Sequence, residues 1–292
     1  MVQKNSLKYD CIILVGPTAV GKSNYAIQLA KKYNGEIINA DSQQIYKDLC
    51  IGTAKVTPNE MQGIPHHLFD FVNPLDEFSV AQYKELCNKC ILDIKSRGKM
   101  PIIVGGTGFY VQSLLYDMSY GNTSKNQEIR KNYEILLKQK GNQYLYDLLK
   151  SKDFDRAKQL HPNDVKRVIR ALEILDNGQL PSKVTKTKTK LNAYTILLQM
   201  DRARLYERIN KRVDIMINEG LLNEINQLLK QGITFDNQCM KAIGYKEWKD
   251  YFDKKLTLEQ TIELIKKNTR NYAKRQITWF KNSFEYNEII SL

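Results

Sequence analysis

The fold class can be predicted from one stretch of the sequence, Tyr9-Asp-Cys-Ile-Ile-Leu-Val-Gly-Pro-Thr-Ala-Val-Gly-Lys-Ser23. Its first half is a short apolar run rich in β-branched residues, which is typical of a buried strand. Its second half, Gly16 to Ser23, fits the P-loop pattern in full. A helical pattern follows from Asn24 to Tyr33, so both flanks of the P-loop are correct. The stretch therefore predicts a phosphate site between a strand and a helix.

The P-loop residues have distinct roles in holding phosphate. Its glycines let backbone N–H groups converge on phosphate oxygens, and the following helix places its positive end there. We expect Lys22 to reach the outer phosphates and Ser23 to ligate Mg²⁺, directly or through water. The pattern does not separate a nucleotide from another diphosphate. The residues predicted to bind this ligand are Gly16, Pro17, Thr18, Ala19, Val20, Gly21, Lys22 and Ser23.

Three more apolar runs predict further strands, at Glu36–Ala40, Pro101–Val104 and Thr195–Met200. Helical patterns separate the first three strands, as in a parallel sheet covered on both faces. The predicted fold class is therefore α/β, a P-loop NTPase-like parallel sheet flanked by helices. After the fourth strand we expect only helices, and the last long one should begin at the capping box of Thr257 and Gln260.

Residues 121–194 interrupt this alternation. They are polar, rich in Lys, Asn and Tyr, and helical in pattern, and 182–190 is a basic, Thr-rich stretch that predicts a loop. We interpret 121–194 as a mostly helical insert, and 1–120 together with 195–292 as the P-loop core domain.

The composition narrows the class of protein. A formal net charge of +13 favours a polyanionic partner, most commonly nucleic acid, although a basic proteome with AT-rich codon bias is an alternative explanation. No apolar run approaches about 18 residues, so no membrane span is expected. Five cysteines, an odd number, favour a reducing cytoplasm. No second Cys or His pair completes a zinc site with Cys87 and Cys90, so we expect both on a buried helix face.

Polar segments follow the second and third predicted strands, at Asp41–Gln44 and Gly105–Tyr110. Ligands bind at the carboxyl ends of the strands in an open parallel sheet, so these segments should meet the P-loop. Asp41 is then the leading candidate for a general base, with a helix cap or a Mg²⁺-associated carboxylate as the alternative. Thr107 is expected to bind a substrate or to cap a helix. Neither the third strand nor Asp201 after the fourth supplies a convincing Walker B aspartate.

An ordered set of segments gives the chain a family resemblance. The set is Gly16-Pro-Thr-Ala-Val-Gly-Lys-Ser23, Asp41-Ser-Gln-Gln44, Ile51-Gly-Thr-Ala-Lys55, Pro65-His-His-Leu68, Gly105-Gly-Thr-Gly108, His161-Pro-Asn-Asp164, Arg170-Ala-Leu-Glu173, Gly244-Tyr245 and Tyr272-Ala-Lys-Arg-Gln-Ile-Thr-Trp279. Together these segments resemble those of the tRNA dimethylallyltransferases, also called tRNA isopentenyltransferases, of the bacterial type. The resemblance spans residues 10–282. Each segment except the P-loop is weak alone, whereas the ordered set is specific.

The resemblance implies an activity and its ligands. It implies transfer of a dimethylallyl group from dimethylallyl diphosphate to the exocyclic 6-amino group of adenosine 37, with release of diphosphate. The tRNAs would be those that read codons starting with U. Mg²⁺ would be the cofactor, and the anticodon stem-loop of tRNA would bind partly to the insert. The protein is expected to be a cytoplasmic monomer.

The resemblance also assigns roles to residues. Asp41, Thr107 and Arg130 would be catalytic or contact substrate. Lys246 stands where many members carry Arg, so a bidentate contact at that position is doubtful. The residues implied to contact tRNA are Asp41, Ser42, Gln43, Gln44, Lys166, Arg167, Val168, Ile169, Arg170, Lys241, Ala242, Ile243, Gly244, Tyr245 and Lys246.

Periodicity suggests which cations face outward. On the helix after Asp164 they are Lys166, Arg167 and Arg170, and on the last helix Lys267, Arg270 and Lys274; solvated charge is the alternative to RNA contact for both sets. Two competing functions also stay open. A small-molecule or nucleotide kinase would leave the +13 charge unexplained. A non-catalytic RNA-binding NTPase module would leave Asp41 unexplained.

Overall fold

The computed structural model describes residues 8–118, 126–183 and 186–292, which form two compact units. The first unit contains residues 8–115 and Lys190–Leu292, and the second contains Tyr116–Thr189. Both bounds of the second unit precede those predicted for the insert, 121 and 194. The reason is that 116–118 pairs with 186–188 inside the second unit, whereas 193 and 194 already belong to a strand of the first. Residues 119–125, 184 and 185 lie outside the described residues.

The first unit is built on a six-stranded sheet whose strands all run parallel. Its strands are β1 (Cys11–Val15), β2 (Gly35–Asn39), β3 (His66–His67), β4 (Met100–Gly105), β7 (Ala193–Gln199) and β8 (Glu288–Ser291). Their order across the sheet is β3-β2-β4-β1-β7-β8. The P-loop strand β1 therefore lies between β4 and β7, and the predicted fold class is confirmed.

Helices cover both faces of this sheet, because the side chains of β1 alternate between two apolar cores. Ile12 and Leu14 belong to one core, and Ile13 and Val15 to the other. Tyr83, Cys87 and the other buried residues of the helix Val80–Ser96 pack in the second core. The helices are α1 (Lys22–Tyr33), α2 (Pro58–Met61), α3 (Val80–Ser96), α4 (Gly108–Leu115), α8 (Arg202–Asn218), α9 (Leu221–Lys230), α10 (Trp248–Phe252) and α11 (Leu258–Ser283).

The helix start predicted at Thr257 is confirmed, but the expectation of helices to the end is wrong. Capping boxes open α3 at Ser79 and α11 at Thr257. The chain then returns to the sheet as β8, which pairs with β7. β8 is a four-residue edge strand whose Ile289 is exposed, so it carries little of the burial pattern that marks a strand.

The second unit contains α5 (Gln127–Lys152), α6 (Phe154–Ala157), α7 (Val165–Asp176), β5 (Tyr116–Met118) and β6 (Lys186–Lys188). Its core contains Tyr133 and Leu149 of α5 and Leu172 of α7. Gly141, at φ 80°, kinks α5. The basic stretch predicted as a loop is partly a strand, because β6 pairs antiparallel with β5. Across the described ranges, no helix is both long and apolar enough to cross a bilayer.

Candidate active site

The P-loop turns sharply between β1 and α1. Ala19 and Gly21 have left-handed backbone angles, φ 64° and 109°. Gly16 packs tightly under β7, since an added Cβ would lie 2.7 Å from the backbone oxygen of Leu198. This tight turn leads directly into the first turn of α1, which contains no acidic side chain. The loop therefore has the strand, turn and positive helix end that an anion site requires.

The Lys22 ammonium group lies inside the loop. It donates hydrogen bonds to the backbone oxygens of Gly16 at 3.0 Å and Pro17 at 2.8 Å. Burial lowers the pKa of Lys22 to about 8, while the nearby Asp41 carboxylate acts in the opposite direction. Ser23 is exposed at the start of α1. Lys22 is thus poised to bind an anion at neutral pH.

The ends of β2 and β4 meet as the sequence predicted. Thr107 accepts a hydrogen bond from the Ser42 backbone N–H at 2.9 Å, and its hydroxyl lies 3.2 Å from the Ser42 hydroxyl. Asp41 is fixed by its neighbours, because its N–H donates to Asn39 and its carboxylate accepts from the N–H of Gln43. The Thr107 hydroxyl therefore joins the two strand ends and holds the segment that contains Asp41.

The Asp41 carboxylate is electrostatically coupled to several elements of the site. Burial and then this carboxylate raise the pKa of Tyr272 on α11. Burial, Tyr46 and the same carboxylate raise the pKa of Tyr110 on α4. Together with its effect on Lys22, the charge of Asp41 therefore acts on groups of three helices, α1, α4 and α11.

A glycine-rich turn after β4 allows close packing at the site. A Cβ added to Gly105 would lie 2.1 Å from the Ala40 backbone oxygen, and one added to Gly108 would lie 2.1 Å from the Trp279 ring. A side chain at either position would push apart β2 and β4 or displace α11. The turn thus brings the strand ends and the last helix within contact.

Gln276 is a site residue that sequence reasoning missed. It is buried on α11, accepts a hydrogen bond from the Thr18 backbone N–H at 2.8 Å, and donates one to the Gly106 backbone oxygen at 2.9 Å. In the sequence, the indication of this role is that Gln276 is a polar amide on the buried face of the helix, between Ala273 and Phe280.

Arg208 and Arg212 on α8 were also missed. Arg212 lies 3.5 Å from the Thr18 hydroxyl, and burial lowers its pKa, followed by the charge of Arg208. The sequence contained one indication of this role. The two arginines are four residues apart, on the same face of the helix that follows β7, the strand beside β1. Asp201, the weak Walker B candidate, caps this helix by accepting from the N–H of Ala203 and Arg204.

The predicted segment Lys166–Arg170 lies on α7 in the second unit. Lys166 and Arg167 are exposed, whereas Val168 and Ile169 are buried in that unit's core. The contact of this segment with tRNA stays a prediction, and the two exposed cations are the side chains within it that face solvent. Arg170 and Arg130 both form ion pairs with the buried carboxylate of Glu173, at 2.8 and 2.9 Å. Burial raises the pKa of Glu173, but hydrogen bonds from the two arginines outweigh it and lower the pKa.

The predicted segment 241–246 also contains both exposed and buried residues. Lys241 and Lys246 are exposed, and Ile243 is partly exposed. Ala242, Gly244 and Tyr245 are buried, and the contact of this segment with tRNA stays a prediction. On α11, Lys267 and Lys274 are exposed, whereas Arg270 donates to Asn210 at 2.5 Å.

This site defines a P-loop α/β enzyme in which the charge of one carboxylate, Asp41, acts on the lysine of the phosphate loop. The family model described as IPP transferase matches residues 44–283. The chain is 48% identical over 285 residues to the tRNA dimethylallyltransferase of Bacillus subtilis (strain 168), covering 96% of this chain and 90% of the relative. It is 47% identical over 282 residues to that of Bacillus pumilus (strain SAFR-032), covering 95% and 88%.

The solved structures that resemble this chain carry names of the same kind as these relatives. The tRNA isopentenylpyrophosphate transferase of Bacillus halodurans superimposes with a TM-score of 0.71 at 43% identity, covering 96% of this chain and 89% of the other. A eukaryotic dimethylallyltransferase acting on tRNA gives 0.79 at 35% identity, covering 96% and 73%. The chain belongs to the IPP transferase family, and it is accordingly a prenyltransferase.

Proposed function

We propose that this enzyme transfers a dimethylallyl group from dimethylallyl diphosphate to the exocyclic 6-amino group of adenosine 37. The tRNAs are those that read codons starting with U, and diphosphate is released. The position of Asp41 carries the proposal: it lies two residues beyond the end of β2, held by Asn39 and Gln43, and its charge acts on Lys22 of the P-loop. One edge of the sheet thus holds a base beside an anion site.

The proposed chemistry uses this arrangement in one displacement. The adenine amine is a poor nucleophile because its lone pair is delocalised into the ring. Its nitrogen forms a bond to the dimethylallyl C1 while the bond from C1 to the diphosphate oxygen breaks. The amine becomes acidic as the new bond forms, and Asp41 takes its proton, a contribution of roughly 10²–10⁴ in rate.

The P-loop side of the site receives the leaving group. Lys22, Arg212 and the loop N–H groups stabilise the charge that develops on the departing diphosphate. Within the described residues, no group of three or more His, Cys, Asp or Glu side chains could hold a metal. Mg²⁺ would therefore bind the Ser23 hydroxyl together with diphosphate oxygens and water, a donor set that suits this ion. When bound, it would neutralise charge on the diphosphate.

The tRNA is proposed to contact two sets of exposed cations and one polar segment. The cations are Lys166 and Arg167 in the insert and Lys241 and Lys246 after α9, and the polar segment is Asp41–Gln44 at the site. The target nucleotide must leave the stack to reach Asp41, and a single-stranded loop makes this less costly than a duplex would. All five cysteines are free, which supports a cytoplasmic location, and we propose that the enzyme acts as a monomer.

One assay tests the activity. The purified protein is incubated with radiolabelled dimethylallyl diphosphate, Mg²⁺ and an unmodified tRNA that reads a codon starting with U. Label should enter the tRNA, and a matched transcript with guanosine at position 37 should stay unlabelled. Absence of label in both, with ATP consumed in a parallel reaction, would favour the kinase or NTPase alternative.

A further inference from the structure

Glu224 of α9 has a buried carboxylate that is fully occupied by donors from two distant segments. Its Oε2 accepts the backbone N–H groups of Cys50 at 2.9 Å and Ile51 at 2.7 Å. Its Oε1 accepts the N–H of Gly52 at 3.2 Å and the Tyr245 hydroxyl at 2.6 Å. Three successive N–H groups form a nest for an anion, and the protein's own carboxylate fills it.

The two segments that share Glu224 also pack against each other. A Cβ added to Gly52 would lie 2.6 Å from the Tyr245 ring, and one added to Gly244 would lie 3.3 Å from the Gly52 backbone oxygen. Tyr245 is fully buried. Loop 50–55 and segment 241–246 therefore pack tightly against each other around Glu224.

Loop 50–55 also connects Glu224 to the active site. The Gln44 side-chain amide donates to the backbone oxygens of Thr53 and Ala54, each at 3.1 Å. Lys55 bends back to donate to the Tyr46 backbone oxygen at 2.6 Å. Gln44 ends the segment that begins with Asp41, so the position of loop 50–55 fixes one end of that segment.

Segment 241–246 is anchored on its other side. Glu247 accepts hydrogen bonds from the Gly244 N–H at 2.9 Å and from Asn268 of α11 at 2.7 Å. The exposed cations Lys241 and Lys246 therefore belong to a segment that hydrogen bonds hold in place.

We propose that Glu224 is a positioning residue for tRNA recognition. It fixes the distance between the segment 41–44 and the cations at 241 and 246, and it contacts neither RNA nor the reacting atoms. This inference rests on the proposed function. It predicts that loss of Glu224 affects the tRNA substrate selectively, because the P-loop receives its contacts from β1, α8 and α11 instead.

The test compares steady-state kinetics of Glu224→Gln with the wild type. The amide keeps the size of the side chain but turns one acceptor oxygen into a donor facing the nest. We expect KM for tRNA to rise about five- to twentyfold, as for the loss of hydrogen bonds to a charged group. KM for dimethylallyl diphosphate and the single-turnover rate at saturating tRNA should stay within about twofold. Glu219→Gln, an exposed residue at the end of α8, is the matched control and should leave all three values unchanged.

Tyr245→Phe removes one of the four bonds and should raise KM for tRNA by a smaller factor, so the inference stays testable if Glu224→Gln does not fold. An equal rise in both KM values, or an unchanged KM for tRNA in both folded variants, would overturn the inference. A wild type that labels no tRNA would instead refute the proposed function.

Discussion

The side-chain oxygen of Gln276 accepts a hydrogen bond from the backbone N–H of Thr18 at 2.8 Å, across 258 positions of the chain. The same amide donates to the Gly106 backbone oxygen. One buried side chain of α11 therefore joins the P-loop to the turn after β4. The shape of the phosphate site depends on this helix as well as on the P-loop sequence.

Replacement of Gln276 by Ala should weaken binding of the prenyl donor. The Thr18 N–H and Gly106 oxygen lose their partner, at a cost of about 1–3 kcal/mol, so KM for dimethylallyl diphosphate should rise by about tenfold or more. Thr278→Ala, at an exposed position two residues along the helix, is the control. Steady-state kinetics at saturating tRNA measure the effect, and equal KM values for the two variants would contradict it.

Replacement of Asp41 by Asn should abolish most turnover while tRNA binding is retained. Asn keeps the shape and can still accept from the Gln43 N–H, but it cannot take the proton from the amine. We expect the single-turnover rate to fall by roughly 10²–10⁴. Asp48→Asn, exposed in the same loop, should retain normal activity. An Asp41→Asn enzyme with wild-type turnover would remove Asp41 as the base.

Diphosphate binding should weaken as the pH rises through about 8. Burial lowers the pKa of Lys22 to about 8, so its ammonium group is charged below that pH and loses its proton above it. Calorimetric titration with inorganic diphosphate between about pH 7 and 9 would measure the slope, which a single titrating group limits to about tenfold per pH unit. The Lys22→Ala variant reports the ligand's own titration, so parallel profiles for the two proteins would refute the role of Lys22.

The buried carboxylate of Glu36 should contribute to stability at neutral pH. Its hydrogen bonds with Arg97 come first among the causes that lower its pKa, and Lys99 and His67 add to them, each at 2.7 Å. Glu36→Gln should reduce the free energy of unfolding by about 1.5–3 kcal/mol at pH 7.

The sign of the pH dependence at Glu36 follows from its lowered pKa. The contribution is present above the unfolded-state pKa of about 4.3 and is lost as pH falls through the folded-state value. Urea unfolding at several pH values measures this difference. Asp93→Asn, which removes an exposed partner of the same arginine, should cost less than about 1 kcal/mol. Equal losses in the two variants would contradict the prediction.

The sequence was sufficient for the elements whose residues are adjacent in the chain. The P-loop strand and the two capping boxes are local patterns, and the meeting of Ser42 with Thr107 follows from the rule for strand ends. Contacts that depend on how distant helices dock had no local signal. Gln276 and Arg212 look like ordinary polar residues of amphipathic helices until the fold brings them to the P-loop.

Burial inside a contact segment was equally hard to predict. The resemblance marked 241–246 as a block, yet Tyr245 is buried beneath Lys246 because its hydroxyl is taken by Glu224, a partner 21 positions earlier. A motif records which positions are constrained, whereas packing decides which of them face solvent.

The bond between Thr18 and Gln276 has a consequence for synthesis of the protein. The P-loop leaves the ribosome well before its partner on α11 is made, because 258 positions separate the two residues. At roughly 5–20 residues per second, this interval lasts roughly 13–50 seconds. During this interval a nascent chain has a P-loop that lacks its Gln276 contact. The ability to consume prenyl donor is therefore acquired only after α11 has been synthesised.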